Sequence, residues 1–255
     1  PGISKIVADD RGLADVVGAL PKALKELGHE VIIILPLYDS IRKKNLHIDP
    51  FFGSMGVWMG AGVEHWCAVK KTVTHDNIAV YFIEYDHYFA RTGLYNDSSN
   101  NDYADNAARF AFFSRASLQL LMDMNFKPDV IHAHDWQTAP VCAYVKTWGW
   151  GGSGIDKAAT VLTIHNIGYQ GVYPADVYKY AGFSEWDFRS DIFEDHGRVN
   201  FLKAGIHYSV MVTTVSPTYA RETVDGSQSY GLAPYLNNKK ERYVGILNGV
   251  DYSAW

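Results

Sequence analysis

The sequence has 255 residues, 47% hydrophobic and 20% charged, with a net charge of -5, a balance suited to a packed α/β fold of one large or two small domains. No apolar run approaches the ~20 residues of a bilayer crossing, no secretory-type leader is expected, and no basic cluster marks a nucleic-acid binder. The two cysteines, Cys67 and Cys142, are too few and too scattered for a disulfide framework or a thiolate zinc site, which points to a reducing compartment.

The clearest unit spans residues 12–36. Leu13, Val16, Val17, Leu20, Leu24 and Leu27 recur at helical spacing, and Gly28 stands where a helix C-cap belongs. The apolar run VIIILP then reads as a strand buried on both faces, as in a parallel sheet covered by helices. Residues 50–62 are glycine-rich and apolar, either a β-excursion or a loop. Strands follow at 63–73 and 78–85, then a long helix over 102–125 with Ala107, Phe110, Phe113, Leu118 and Leu121 on or near one face. Next come a strand at 128–133, a helix at 137–148, a surface loop at 148–154 and a strand at 158–165. A helix at 199–208, a strand at 210–215, a helix at 217–223 and a short strand at 243–247 complete the order. The alternation predicts a Rossmann-like, doubly wound, mainly parallel sheet.

In such sheets ligands bind beyond the carboxyl ends of the strands. Four predicted strands end in polar residues: His134, Asp135 and Gln137; His165, Asn166 and Tyr169; Ser216; and Asn248 with Gly249. Ser216 followed by Pro217 also reads as an ordinary helix N-cap with Pro at the first helical position. Gly249 reads as a turn residue able to take positive φ. His165 and Asn166 open no obvious helix and read as functional. His132 and His134 face one side of their strand at period two. Together with Asp135 and His165 they offer a hydrolase-type metal site, against the plainer reading that one ring packs in the sheet and the other bonds backbone.

Six stretches together resemble the glycogen/starch synthase family: GLADVVGALPKALKELGHEVIIILPLYD (12–39), GLYND (93–97), PDVIHAHDWQTAP (128–140), TIHNIGYQG (163–171), TTVSPTYARE (213–222) and GILNGVDYSAW (245–255). Their order and spacing match along nearly the whole chain. The resemblance implies the N-terminal half of a GT-B fold, with residues 1–255 as a single Rossmann-like domain and the nucleotide-binding domain outside it. It implies retaining transfer of glucose from a sugar nucleotide, ADP-glucose or UDP-glucose with the former favoured, to the non-reducing end of an α-1,4-glucan. No metal or cofactor is expected, nor a nucleic-acid or membrane partner. The expected location is the cytoplasm, or the plastid stroma in a plant or alga.

On the same resemblance His165 is the histidine beside the reacting carbon, Asp135 the cleft carboxylate, and Asn166 a residue that orients the histidine or touches the sugar. Tyr95 stands near the donor, and Asp15, Gln137, Tyr169 and Asn248 join it as donor or acceptor contacts. Gln137 replaces a histidine common in the family. The family's opening Lys-x-Gly-Gly-Leu is altered here to Asp9, Asp10, Arg11 and Gly12 before Leu13, with Lys5 as the remaining candidate lysine. Residues 3–8 are either the family's first strand, with Lys5 spent structurally, or the loop that holds Lys5. The isolated chain is expected to lack transferase activity, with a glucan-binding module or a metal-dependent hydrolase as alternatives.

Overall fold

The computed structural model describes residues 11–44 and 46–249, with only the helical backbone for residues 11–15. Lys5 and the candidate strand at 3–8 lie outside the described residues, as do Asp9, Asp10 and the tail from Val250. The chain divides into two compact units, Pro1–Leu120 and Leu121–Trp255. No described helix is long and apolar enough to cross a membrane.

The first unit opens with α1 (Arg11–Glu26), which carries Gly12 and Asp15. Gly28 ends it as expected, at φ 92°, with Gly28 N–H donating to the Lys25 carbonyl and His29 N–H to that of Leu24. Then come β1 (Ile32–Pro36), α2 (Asp39–Arg42), β2 (Asp49–Trp58), β3 (Glu64–Val73), β4 (Ala79–Glu84), α3 (Asp86–Phe89) and α4 (Asn106–Asp123). The sheet order is β1-β4-β3-β2. β1 pairs parallel with β4, whereas β2–β3 and β3–β4 are antiparallel. The physical reason is connection length: the links from Trp58 to Glu64 and from Val73 to Ala79 are too short for a crossover. Residues 50–62 are therefore mostly strand. Ile33, Leu37, Ile41, Val80 and Phe82 form a buried core, against which Val17 of α1 packs. Ala107, Phe110, Phe113, Leu118 and Leu121, read as lying on or near one face of α4, are all buried. Arg109 is buried among them, its Nε donating to the Tyr88 carbonyl at 2.8 Å and its guanidinium lying over the Tyr103 ring.

The second unit contains β5 (Val130–His134), α5 (Asp135–Thr138), α6 (Pro140–Thr147), β6 (Ala159–Ile164), β7 (Val172–Pro174), α7 (Asp176–Ala181), β8 (Glu194–Asp195), β9 (Arg198–Asn200) and α8 (Phe201–Tyr208). β10 (Met211–Thr214), α9 (Pro217–Val224), α10 (Ala233–Asn237) and β11 (Tyr243–Gly245) follow. Its main sheet runs β11-β10-β6-β5 with every pairing parallel, so the four carboxyl ends share one edge. The doubly wound α/β expectation holds. The helix expected over 137–148 is two helices, because Pro140 has no N–H to continue α5 and opens α6 instead. The loop at 148–154 turns through Gly151, Gly152 and Gly154 at positive φ, yet Trp150 anchors it, buried, with Nε1 donating to the Tyr144 carbonyl at 2.9 Å. A small sheet, β7-β9-β8, went unread because strands of two or three residues carry no periodicity. Ser216 is an N-cap, its Oγ accepting the Tyr219 N–H at 3.0 Å. Gly249 does not use positive φ.

Candidate active site

The parallel register of the second unit brings three strand ends together. His134 lies beside Thr163, and Thr163 beside Thr213. From β5 the chain turns sharply into α5 at Asp135, a non-glycine residue at φ 54°. That left-handed conformation suits Asp better than most residues, and it aims the carboxylate back at the end of β6. Asp135 is 7% exposed, and its Oδ1 accepts the His165 N–H at 2.7 Å and the Asn166 N–H at 3.3 Å.

His134 Nδ1 and His165 Nε2 are 3.1 Å apart, so one nitrogen holds the proton and the other accepts it. The His132 and His134 rings stack at 4.3 Å between centroids. His132 Nε2 meets Thr163 Oγ1 at 2.6 Å, and Thr163 Oγ1 meets Thr213 Oγ1 at 2.7 Å. Neither ring is therefore spent on a backbone group, contrary to the plainer expectation. His165 Nδ1 is buried with no hydrogen-bond partner among the described residues. Burial pushes His165 down to about 4 and His134 well below the ordinary histidine range. The same crowding lowers His132, the most solvent-open of the three. The cluster is neutral at pH 7.

Beyond His165 the loop is held at several points. Asn166 Oδ1 accepts the Gly168 N–H at 2.9 Å, and the Tyr219 hydroxyl accepts the Ile167 N–H at 3.2 Å. Gln170 Nε2 donates to the Tyr230 carbonyl, while its Oε1 accepts from Asn200 Nδ2. Gly171 sits at φ 65° against the Trp136 indole, where a Cβ would come within 2.4 Å of the ring. Tyr169, at the loop surface, is 69% exposed.

The structure thus brings His165, Asp135 and Asn166 into direct contact, with Tyr169 on their loop and Gln137, half-buried, in the short helix that Asp135 opens. Asn248 is exposed beyond the end of β11. Tyr95 belongs to the first unit, where its ring packs on Phe110 at 5.8 Å and its carbonyl accepts from Asn106 Nδ2. The side chain of Asp15 is outside the described residues, as is Lys5. Sequence reasoning missed Thr163, Thr213 and Tyr219, whose roles arise only from pairing across β6 and β10 and from the packing of α9. Among the described residues no group of three His, Cys, Asp or Glu side chains is placed to hold a metal ion. Three ring nitrogens of the cluster, His132 Nε2, His134 Nδ1 and His165 Nε2, are engaged with Thr163 and with each other.

Residues 8–238 match the family model described as the starch synthase catalytic domain. The chain is 41% identical to a glycogen synthase of Syntrophotalea carbinolica over 244 residues, covering 96% of this chain and 50% of that protein. A glycogen synthase of Thermodesulfovibrio yellowstonii is 39% identical over 257 residues, covering 96% of this chain and 51% of that protein. The fold superposes on the catalytic domain of starch synthase IV from Arabidopsis thaliana, bound to ADP and acarbose, with a TM-score of 0.87 and 35% identity, over 98% of this chain and 50% of that one. The chain spans about half the length of the relatives it matches.

Proposed function

The chain belongs to the starch synthase catalytic domain family, and from that membership and the histidine cluster we propose that it builds one side of the active site of a retaining α-1,4-glucan glucosyltransferase. One observation carries the reading: a neutral His165 whose Nδ1 is buried and unpartnered, on a loop that Asp135 holds by two backbone bonds. A buried nitrogen left unpaired costs about 1–3 kcal/mol. A hydroxyl of the transferred glucose, reaching it as the loop adjusts, removes that cost. Because the ring is uncharged, it engages the hydroxyl without opposing positive charge that builds on the sugar in the transition state. Asp135 then acts by fixing the loop, with its negative charge beside the site.

The ADP in the Arabidopsis relative favours ADP-glucose as donor, and membership of the family favours an α-1,4-glucan as acceptor. Tyr95, Asp15, Gly12, Lys5, Gln137, Tyr169, Asn166 and Asn248 are proposed donor or acceptor contacts on the family resemblance. Two buried free thiols, Cys67 and Cys142, favour a reducing location, cytoplasm or plastid stroma. The test is His165→Ala in the longer enzyme containing this segment, assayed with ADP-glucose and glycogen. Turnover should fall at least a hundredfold with glycogen affinity little changed; loss of affinity alone would remove His165 from the reacting centre.

A further inference from the structure

A strained turn lies against the loop that carries His165. The Leu232 N–H donates to the Ser229 carbonyl at 2.9 Å, and the two residues between them, Tyr230 and Gly231, stand at φ 47° and 89°. Positive φ at both central positions is the type I′ pattern, which Asn-Gly fills with least strain. Glycine takes the second position here. The first is held by tyrosine, the bulkiest of the described non-glycine residues at positive φ. A large side chain in that region is strained, and such strain persists only where the surroundings impose it. Ser229 and Leu232 are both buried and fix the turn from either side, while Tyr230 is 65% exposed. Its ring is therefore not placed for its own burial.

What the ring does meet is the His165 loop. Tyr230 Cζ and Cε1 lie 3.6 and 3.8 Å from where a Cβ on Gly168 would stand, beside Asn166 Oδ1 at 3.1 Å. The Tyr230 carbonyl accepts from Gln170 Nε2 at 2.9 Å. Any residue in the turn could offer that carbonyl; only an aromatic side chain offers the ring. The loop is bonded from outside at Asn166 and Ile167, by Asp135 and Tyr219, and again at Gln170. Between these anchors Gly168 and Tyr169 are exposed, and Gly168 has no side chain with which to pack.

We propose that Tyr230 is a positioning residue for His165, its ring pinning the loop at Gly168, and that the backbone strain at Tyr230 is retained for that task. The importance of His165 rests on its reading as part of a transferase centre; the pinning rests on the geometry. Without the ring the loop samples more conformations, fewer molecules hold His165 where Asp135 sets it, and turnover falls while substrate binding does not.

The experiment compares the longer enzyme containing this segment as wild type, Tyr230→Asn, Tyr230→Gly and Tyr230→Phe, by thermal melting, amide hydrogen exchange and glucosyl transfer from ADP-glucose to glycogen. The Asn and Gly variants should melt at or above the wild-type temperature, because both residues accept positive φ. Exchange over residues 166–170 should quicken about fivefold or more, and turnover should drop about fivefold or more with the glycogen KM little changed. Tyr230→Phe, which keeps the ring, should stay within about twofold of wild type in both. Melting lowered by more than about 3 °C in both the Asn and Gly variants makes Tyr230 a structural residue and overturns the proposal. So does unaltered exchange over 166–170, a raised KM at unchanged turnover, or a loss in Tyr230→Phe equal to that in Tyr230→Gly. Transfer that depends on His165 and is unmoved by Tyr230→Gly sinks this inference alone. Faster exchange in Tyr230→Gly, with no transfer even by wild type, sinks the transferase reading alone.

Discussion

Asp135 Oδ1 accepts the backbone N–H of His165 at 2.7 Å, although the two residues are 30 positions apart and end different strands. The same oxygen takes the next N–H, that of Asn166. A carboxylate in this position sets where the β6 loop begins, and so where the His165 ring stands. Asp135→Ala leaves two part-buried donors without this acceptor and should cost about 1–3 kcal/mol, the more exposed Asn166 N–H contributing the smaller share. Asp135→Asn keeps an acceptor oxygen and tolerates φ 54°. It should melt within a few degrees of wild type. Thermal unfolding of both variants, together with turnover in the longer enzyme, separates loop positioning from a need for charge. If Asp135→Asn is stable but at least a hundredfold slower, the charge itself contributes to the reaction.

His134 should behave as a positioning residue for His165. Removing it as His134→Ala takes away the 3.1 Å partner of His165 Nε2. One neutral hydrogen bond is worth about 1 kcal/mol, so turnover should drop about fivefold with the glycogen KM little changed. His134→Asn should recover part of the rate, because its amide can restore one polar contact. A matching rise in KM with unchanged turnover would place His134 in acceptor binding instead.

Acid should loosen this unit through its histidines. Burial holds His165 at about 4 in the fold, against about 6.5 in the unfolded chain. Between those values the unfolded state binds the additional proton, so folding stability rises with pH across that window and is lost as pH falls from about 6.5 toward 4. His165 alone accounts for roughly 3 kcal/mol at the acid end, and His134 acts in the same direction. Urea midpoints measured from pH 7.5 to 4.5 should fall steeply in wild type and less steeply in His165→Phe. A flat wild-type profile would mean that these rings are protonated in the fold.

Gly171 should tolerate no side chain. A Cβ would lie 2.4 Å from the Trp136 ring, and the backbone is already at φ 65°. Gly171→Ala therefore meets both a clash and an unfavourable conformation, together costing about 2–4 kcal/mol. Trp136 is buried and Gly171 closes the loop that begins at His165, so near-UV circular dichroism should change along with the melting temperature. An unchanged spectrum at wild-type stability would show that the loop does not depend on this contact.

What the sequence determined by itself is the order of most elements and the family. Apolar runs such as VIIILP and ATVLTI, a helix ended by Gly28 and the Ser216-Pro217 cap are local patterns, and local patterns are legible because neighbouring residues carry them. The polar strand ends were legible for the same reason. Short strands such as Glu194–Asp195, the antiparallel course of β2 and β3, and the break before Pro140 were less so, since each depends on pairing or on a single backbone donor. Only tertiary structure decided what the polar residues do. Thr163 and Thr213 became partners through register, and Tyr219 reached Ile167 across 52 positions. Most decisively, Asp135, read from sequence as a cleft carboxylate, spends one oxygen on the loop that carries His165. Hydrogen bonds between distant residues are fixed by where the parallel strands end, and no spacing along the chain encodes that distance.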